Sequence, residues 1–511
     1  MTAQWLSLIA TIWLQSISGT NSNFPAYSSE LKRILSISQL QLNNLASASD
    51  AGKLLGWLSG IAAAHLPLRL VLLIGSLLGL ISYGIQFLFL TNQAHSLSYY
   101  HVFTLNVIAG NSICWINTVC YIIAIRNFPF DRQVAVGLST SYVGLSAKIY
   151  TAVVDVLFSS SEAERARAFL VLNAVLPLAV CVVAVPLVRV IDVEKSRGLE
   201  RGFLGMCVIT MATGLFAVIT SLRFLSSRHG WMILVGMFVF MVLPILVPAA
   251  ENVREGVQRK CLIRVHDDEG FTSFAQSKDD DELEEVRGSD IGAKLMLRSV
   301  EFWLYFCVYL FGATIGLVYL NNLGQIGESR GCSGTSCSLV SVSSAFGFFG
   351  RLLPSLLDYF YPRHLAICGS KRLVSGAAAM GIMMIPMCVA FLLLLNGQNI
   401  SLYISTAIIG TCTGAITSIS VSTTTQLFGT KNFGVNHNIL VSNISIGSFL
   451  FGGLAAMLYK RRINVRGDTC VGQKCYQLTF IIWGSLCVVG TLLSFVLHAR
   501  TKKMYSSVNR R

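Results

Sequence analysis

Two charged side chains lie inside one apolar stretch, SYVGLSAKIYTAVVDVLF, at residues 141–158. Lys148 is in the middle of this stretch, and Asp155 follows two helical turns later. A charged residue near the centre of a bilayer costs roughly 2.5–3.5 kcal/mol on insertion scales. An ionisable group in such a place needs a compensating partner, and unless that partner is structural the group indicates a functional site.

The partner of Lys148 can be narrowed down from helix geometry. Lys148 lies about 21 Å along a helix that starts at Val134, and Asp155 is about 10 Å further along the same face, beyond easy reach. On another apolar run, Asp50 and Lys53 are spaced so that they can pair with each other. Lys148 therefore faces either Asp50 across helices or a water-filled cavity, where an ammonium group suits a carboxylate ligand. A permanent structural ion pair would meet the same energetic demand.

The composition is that of a membrane protein. The chain has 511 residues, of which 53% are hydrophobic and only 13% charged, whereas soluble proteins carry about 25% charged residues. The charges fall in short intervals between long apolar runs, which predicts membrane-spanning helices because lipid offers no partner for free backbone groups. We therefore relate the net charge of +14 to the orientation of the chain in the membrane and to contact with lipid headgroups. The sequence shows no pattern typical of nucleic-acid-binding proteins.

The apolar runs predict an all-α polytopic membrane protein with two six-helix halves and an extra helix pair between them. We number the runs of the two halves as spans 1 to 12 and call the extra pair the hairpin. Spans 1 to 6 are near residues 3–22, 42–64, 69–91, 101–125, 134–158 and 167–190, the hairpin near 203–222 and 231–250, and spans 7 to 12 near 300–320, 338–360, 373–396, 401–425, 433–458 and 477–498. The predicted domains are a first half (1–195), the hairpin (196–250), an acidic cytosolic linker (251–299), a second half (300–498) and a basic cytosolic tail (499–511).

The loops carry two signals of orientation. Most of the 39 Lys and Arg residues lie on one side if the N-terminus is cytosolic, which predicts cytosolic N- and C-termini, although the basic loop 459–475 is an exception. Two cysteine pairs with equal spacing, Cys332 with Cys337 and Cys470 with Cys475, lie on the opposite side. Disulfides persist in oxidising compartments, so we expect two disulfides there. The sequence does not choose between the plasma membrane and the vacuolar membrane.

Two loops in corresponding places, GWLSGIAAAHLPLR (56–69) and GRLLPSLLDYFYPR (350–363), indicate repeated halves. In the second copy Arg351 and Asp358 share one helical face, at what we take to be the cytosolic end of a helix. We expect charges of this kind to form exchangeable ion pairs that hold one gate shut, and the alternative is ordinary anchoring at the membrane interface. The predicted charge network comprises Asp50, Lys53, Arg351, Asp358 and Arg363.

The second of these loops resembles the second-half loop motif of the major facilitator superfamily, whereas the first copy lacks the usual acidic residue and most of the basic ones. Four further stretches resemble the plant nodulin-like branch of that superfamily, which is related to oxalate:formate-type antiporters and includes the "nuclear fusion defective" proteins. They lie at residues 18–57, 115–150, 427–440 and 470–480. The resemblance implies the major facilitator fold, with alternating access between two halves.

The resemblance also implies that spans 1, 4, 7 and 10 line a central path. Polar residues on these spans are candidate ligand contacts, although hydroxyl and amide groups also join helices to one another. Lys148 and these polar residues together give the candidate substrate-binding set, which is Lys148, Asn111, Trp115, Asn117 and Gln15. For coupling, His437 could titrate near neutral pH, and Asp50 or Asp155 could carry a proton if burial raises its pKa.

The sequence therefore predicts a secondary active transporter of a small organic anion, in particular a carboxylate. Two alternatives stay open: a transporter-like receptor or scaffold without flux, and a carrier of a metal chelate or a neutral solute. No cofactor or metal site is predicted, and no HExxH, GxSxG or P-loop stands in a context that supports an enzyme. We expect a monomer in the lipid bilayer that binds a small solute and no nucleic acid.

Overall fold

The regular elements are helices throughout the part of the chain that the computed structural model describes, which comprises residues 2–93, 97–158, 161–191, 200–221, 230–266, 290–331, 336–365, 375–462 and 470–508. In the first half, span 1 is Thr2–Ser18, span 2 is Gln39–Ala51 with Trp57–His65, span 3 is Leu68–Leu90, span 4 is Tyr99–Asn127, span 5 is Arg132–Ser141 with Ser146–Leu157, and span 6 is Glu162–Ala184. The hairpin is Glu200–Ser221 and Gly230–Val242, followed by Leu246–His266. In the second half, span 7 is Val300–Tyr309 with Ile315–Asn321, span 8 is Ser336–Leu365, span 9 is Gly376–Leu393, span 10 is Asn399–Phe428, span 11 is Phe433–Val441, Asn443–Gly447 and Gly453–Lys460, and span 12 is Gln477–Val508. Three shorter helices, Phe24–Leu35, Ala293–Met296 and Leu323–Ser329, lie between spans.

The multi-span helical architecture is confirmed. Within the described residues, 11 helices are long and apolar enough to cross a membrane. The three other predicted spans are also helical, but the helix of span 1 has 17 residues, and spans 2 and 5 are each interrupted by a 3-10 turn, at Gly52–Leu55 and Tyr142–Leu145. The count of twelve spans plus two stays a prediction.

The interruption of span 2 lies against span 4. A Cβ atom on Gly52 would lie 2.1 Å from the Val107 carbonyl oxygen, and one on Gly110 would lie 1.8 Å from the Ser49 carbonyl oxygen. Glycine at both positions lets the two backbones approach closely, as small residues do between membrane helices. This contact fixes the segment of span 2 that carries Asp50 and Lys53.

The ends of the antiparallel spans gather at two faces. The terminal face holds the start of span 1, the end of span 12, and Asp290, whose carboxylate accepts from the backbone N–H groups of Thr430 and Lys431 at 3.1 and 3.0 Å. The disulfide face holds Cys470 and Cys475, which form a disulfide. Cys332 and the side chain of Cys337 lie outside the described residues.

Each half has its own apolar core, and a further core includes residues from both halves and the hairpin. This shared core contains Phe203 and Met206 of the hairpin, Tyr142 of span 5 and Phe348 of span 8, all fully buried. Because burial of apolar surface is the main favourable term in packing, the hairpin is an integral part of the bundle where spans 5 and 8 meet.

The predicted linker begins inside a helix. Leu246–His266 continues past residue 250, and an ion pair of 3.6 Å between Glu251 and Arg254 lies at a spacing that supports helices. The acidic run 279–285 lies outside the described residues. Residues 251–266 are therefore helical rather than an irregular linker.

The disulfide gives a stability prediction. Replacing Cys470 by serine is expected to lower the free energy of unfolding by about 2 kcal/mol, because even a short disulfide loop restricts the unfolded chain. Thermal unfolding in detergent measures the effect, with Cys307→Ser as a control at a free, partly buried cysteine. Equal unfolding temperatures for the two variants would contradict this role of the disulfide.

Candidate functional site

Arg351 lies halfway along span 8. The helix runs from Ser336 to Leu365, with 15 residues before Arg351 and 14 after it (351 − 336 and 365 − 351). Its predicted position at a helix end is therefore wrong, because the helix continues through Pro354 for about three more turns. Asp358 is half-buried nearer the terminal face, and the side chain of Arg363 lies outside the described residues. Arg351 is an intramembrane cation rather than an interfacial one.

The guanidinium group of Arg351 lies between the two halves. It interacts electrostatically with the phenol groups of Tyr121 on span 4 and Tyr309 on span 7. Its Nη1 donates one long hydrogen bond of 3.4 Å to the Gly347 carbonyl. Among the described residues, no carboxylate oxygen lies within 4.0 Å of it. A guanidinium group has five N–H donors, so Arg351 has hydrogen-bonding capacity to offer a ligand.

Glycines bring spans 8 and 10 together around Arg351. A Cβ atom on Gly350 would lie 2.2 Å from the Thr411 carbonyl oxygen, and one on Gly414 would lie 2.5 Å from the Gly347 carbonyl oxygen. Part of the Arg351 surface nevertheless stays uncovered, although the residue is in the middle of its span. Arg351 is therefore deep in the bundle without being completely enclosed by neighbouring residues.

His437 on span 11 extends this cluster toward the terminal face. Its Nδ1 is 3.0 Å from the Thr424 hydroxyl of span 10, its ring stacks on Phe433 at 5.1 Å, and the edge of Tyr121 lies 5.4 Å away. Tyr121 therefore packs against His437 and interacts electrostatically with Arg351. The predicted coupling role of His437 stays a prediction, but its ring belongs to the same cluster as the central cation.

The halves are joined by hydrogen bonds nearer the terminal face. The Asn438 amide of span 11 donates to the Thr118 hydroxyl of span 4 at 2.7 Å. The side-chain amide of Gln133 on span 5 donates to Ser418 of span 10 at 3.2 Å, and the backbone carbonyl of Gln133 accepts from Ser355 of span 8 at 2.7 Å. Sequence reasoning missed Gln133, because one amide at the start of an apolar run carries no signal of its partners.

Asp50 joins the halves nearer the disulfide face. Its Oδ1 pairs with Lys53 at 2.6 Å, as its spacing predicted. Its Oδ2 accepts from the Asn321 amide of span 7 at 2.9 Å and from the Ser448 hydroxyl of span 11 at 2.7 Å, and its backbone carbonyl accepts from Ser445. Ser448 lies in a π-helical turn, a feature frequent at functional sites. All three of these second-half partners were missed by sequence reasoning.

Lys148 is directed at the hairpin. Its ammonium group donates to the Thr220 carbonyl at 2.9 Å. Of the two surroundings predicted for it, the one beside Asp50 is wrong, because Asp50 is bonded to Lys53 and to the second half. Asp155 pairs with Arg165 at 2.6 Å, and both side chains are about one-third exposed. In this conformation the central cation is Arg351, and Lys148 ties span 5 to the hairpin.

The four polar candidates of spans 1 and 4 divide into two pairs. Asn111 donates to the Gly52 carbonyl at 3.1 Å and accepts from the Trp115 indole at 2.9 Å, so these two side chains support spans 2 and 4. Gln15 is fully buried, and its amide nitrogen has no hydrogen-bond partner among the described residues; the same holds for the amide oxygen of Asn117. Gln15 and Asn117 therefore each have one buried polar atom without a partner in this part of the chain, and their predicted contact with a solute stays a prediction.

Known proteins resemble the chain over nearly its whole length. It is 36% identical to Protein NUCLEAR FUSION DEFECTIVE 4 of Arabidopsis thaliana over 535 aligned residues, covering 98% of this chain and 89% of the relative. Residues 4–249 match the Nodulin-like family, and residues 286–507 match the family described as NFD4, C-terminal domain. A shorter match, 24% identical over 39% of this chain and 40% of the relative, is to Probable transporter MCH1 of Gibberella zeae.

Solved structures share the fold at low sequence identity. The proton:xylose symporter XylE bound to 6-bromo-6-deoxy-D-glucose aligns over 96% of this chain and 94% of its own, with a TM-score of 0.59 and 12% identity. XylE of E. coli in a partially occluded inward open conformation aligns over 96% of both chains, with a TM-score of 0.53 and 13% identity. Both are major facilitator proteins. The chain belongs to the nodulin-like, NUCLEAR FUSION DEFECTIVE 4 family, and it has the fold of the major facilitator proteins.

Proposed function

We propose that the protein carries a small organic anion, with at least one carboxylate group, by alternating access between its two halves. Secondary transport of a small solute accords with the fold. We propose an anion because of Arg351. This residue is a cation halfway along span 8, and no carboxylate of the described residues lies within ion-pair distance of it.

The chemistry of Arg351 favours a carboxylate. A guanidinium group presents a planar fork of donors that matches two carboxylate oxygens, and it stays charged even when buried. A cation inside a membrane is costly unless something compensates for it. The phenol groups of Tyr121 and Tyr309 are close enough to interact with the cation, and each can donate a hydrogen bond to a bound anion. A transient carboxylate therefore offsets the cost and is held from both halves.

Two sets of contacts between the halves are suited to act as alternating gates. Toward the terminal face, Gln133 and Asn438 hydrogen-bond across the halves. Toward the disulfide face, Asp50 accepts from Asn321 and Ser448. Each set consists of a few hydrogen bonds, and each bond contributes only about 0.5–3 kcal/mol net. In the proposed cycle one set breaks while the other stays formed.

For orientation, we propose that the terminal face is cytosolic. The excess of Lys and Arg on that side favours a cytosolic location, and the Cys470–Cys475 disulfide suits an oxidising compartment on the other. Such an orientation serves either the plasma membrane or the vacuolar membrane.

A thermal-shift screen on the purified protein tests the proposal. The probes are formate, oxalate, malate and citrate, with xylose as a neutral solute and iron citrate as a metal chelate. A solute at 100 times its Kd stabilises the folded state by about 2.7 kcal/mol. At least one carboxylate is expected to raise the unfolding temperature of the wild type and of Lys148→Gln, but not of Arg351→Gln, and to enter proteoliposomes through the wild type.

The outcomes separate the alternatives. Stabilisation and uptake of xylose or iron citrate alone would overturn the choice of an anion. Absence of stabilisation and of uptake for every probe would favour a receptor or scaffold. Equal responses of the wild type and Arg351→Gln, with loss in Lys148→Gln, would return the ligand contact to Lys148.

A further inference from the structure

We propose that the hairpin moves as part of the first half, and that the hairpin and span 5 form a slot in which Phe348 of span 8 slides when the halves rearrange. The inference rests on the proposed alternating access and adds a guiding element to it. The slot is defined by Gly144 of span 5 and Gly214 of the hairpin, with Phe348 between them.

Hydrogen bonds fasten the hairpin to the first half at three levels. The Trp13 indole of span 1 donates to the Met241 carbonyl at 2.7 Å. The Tyr142 hydroxyl of span 5 is 3.3 Å from the Thr210 hydroxyl of the hairpin. Lys148, also on span 5, donates to the Thr220 carbonyl of the hairpin at 2.9 Å. Because each of these bonds is directional and lies in a region without bulk water, a shift of the hairpin along the first half would leave polar groups unpaired.

Close packing with span 1 supports the same attachment. A Cβ atom on Gly202 would lie 2.3 Å from the Trp5 ring, and the rings of Trp5 and Phe203 meet edge to face at 4.9 Å. Trp5 and Phe203 are fully buried. Interlocked surfaces of this kind resist sliding, because the side chains of a packed interior fill their space with few voids.

The contact with span 8 has a different character. A Cβ atom on Gly214 would lie 2.4 Å from the ring of Phe348 and 3.0 Å from that of Phe349, whereas Gly144 faces the Cβ of Phe348 at 3.1 Å. Gly214 thus offers a flat surface to the two aromatic rings, and Gly144 offers one to the Cβ and backbone of Phe348. Apolar contact is non-directional, so a ring can shift along a glycine surface without breaking a hydrogen bond. Phe348 is therefore confined in the direction across the helix axes but can move in the direction along them.

Distances between spin labels test which half the hairpin follows. Labels at Leu66, Val253 and Lys502 mark the first half, the helix Leu246–His266 that continues the hairpin, and the second half at the terminal face, and all three positions are exposed. Introduction as unnatural amino acids leaves the 14 native cysteines in place. Distances are measured by double electron–electron resonance in liposomes between pH 5 and pH 8, with and without oxalate.

The expected pattern is one narrow peak for Val253–Leu66, together with broad or two-peaked distributions for Val253–Lys502 and Leu66–Lys502. A narrow Val253–Lys502 peak with a broad Val253–Leu66 distribution would overturn the inference while leaving the proposed transport intact. Narrow peaks for all three pairs under all conditions would overturn the proposed alternating access and the slot with it.

A glycine pair on one helix tests the slot itself. Gly214→Ala places a methyl group where the Phe348 ring lies, whereas Gly205→Ala on the same helix meets its nearest neighbour at an ordinary 3.5 Å. Gly214→Ala is expected to collapse the Leu66–Lys502 distribution toward one population, Gly205→Ala to leave it unchanged, and Phe348→Ala added to Gly214→Ala to restore it. An unaltered distribution in Gly214→Ala, with wild-type thermal stability, would overturn the slot.

Discussion

Replacing Arg351 by glutamine is expected to reduce carboxylate uptake into proteoliposomes by roughly 100-fold. Loss of one partner of a buried, hydrogen-bonded charge pair costs about 2–5 kcal/mol, and each 1.4 kcal/mol is about tenfold in affinity. Glutamine keeps much of the length and hydrogen-bonding capacity of the side chain but not its charge. The measurement is the initial rate of uptake of the carboxylate identified by thermal shift, at a concentration below its Kd.

Two further variants separate charge from geometry. Arg351→Lys keeps the positive charge without the planar fork of donors, so it is expected to retain part of the uptake. Arg500→Gln is the matched control, because Arg500 forms a half-exposed ion pair with Glu301 at the terminal face, and such pairs contribute about 0–1 kcal/mol. Uptake by Arg351→Gln within twofold of the Arg500→Gln rate would show that Arg351 does not bind the solute.

Replacing Asp50 by alanine is expected to destabilise the protein strongly and to open the bundle toward the disulfide face. The Asp50 and Lys53 side chains are only 6% and 13% exposed, and removing one partner of a buried ion pair costs about 3–5 kcal/mol because the other charge stays buried. Asn321 and Ser448 lose their shared acceptor at the same time. The unfolding temperature in detergent measures the first effect.

Accessibility measures the second effect. A cysteine introduced at Ser49, whose hydroxyl is buried and has no hydrogen-bond partner among the described residues, reports whether the disulfide face is open, through its rate of reaction with a membrane-impermeant maleimide. Ser448→Ala removes one bond to Asp50 without leaving Lys53 unpaired, so it is expected to speed the labelling with a much smaller loss of stability. Asp155→Asn is the control, since it removes a more exposed ion pair with Arg165. If the maleimide labelled Ser448→Ala no faster than Asp155→Asn, the result would contradict the role of these hydrogen bonds as a gate.

Much of the fold could be predicted from the sequence. Runs of apolar residues show where the chain crosses a bilayer, and the spacing of Asp50 and Lys53 on one helix was enough to predict their pairing. The extra hairpin was visible because its two runs are as apolar as the other spans. These features depend on residues that are close together in the chain.

The site depends on contacts between distant residues, and there the sequence was a weaker guide. A span packed in lipid is apolar on nearly all sides, so periodicity does not tell which side faces the central path and which faces another helix. Lys148 was therefore expected to face the path, but it bonds the hairpin. Arg351 was assigned to a helix end because the loop motif around it suggested one, and only the full length of span 8 places it in the middle.

The central claim is that the carried anion binds at Arg351, and chemical footprinting tests this most directly. Wild-type protein in liposomes is treated with a membrane-permeant arginine-modifying reagent over a range of concentrations of the stabilising carboxylate, and each arginine is followed by peptide mass spectrometry. The rate of modification of Arg351 is expected to fall as the carboxylate concentration rises and to level off once the site is saturated. The rate of modification of Arg500 is expected to stay constant. An unchanged rate of modification at Arg351 under saturating carboxylate would contradict the claim.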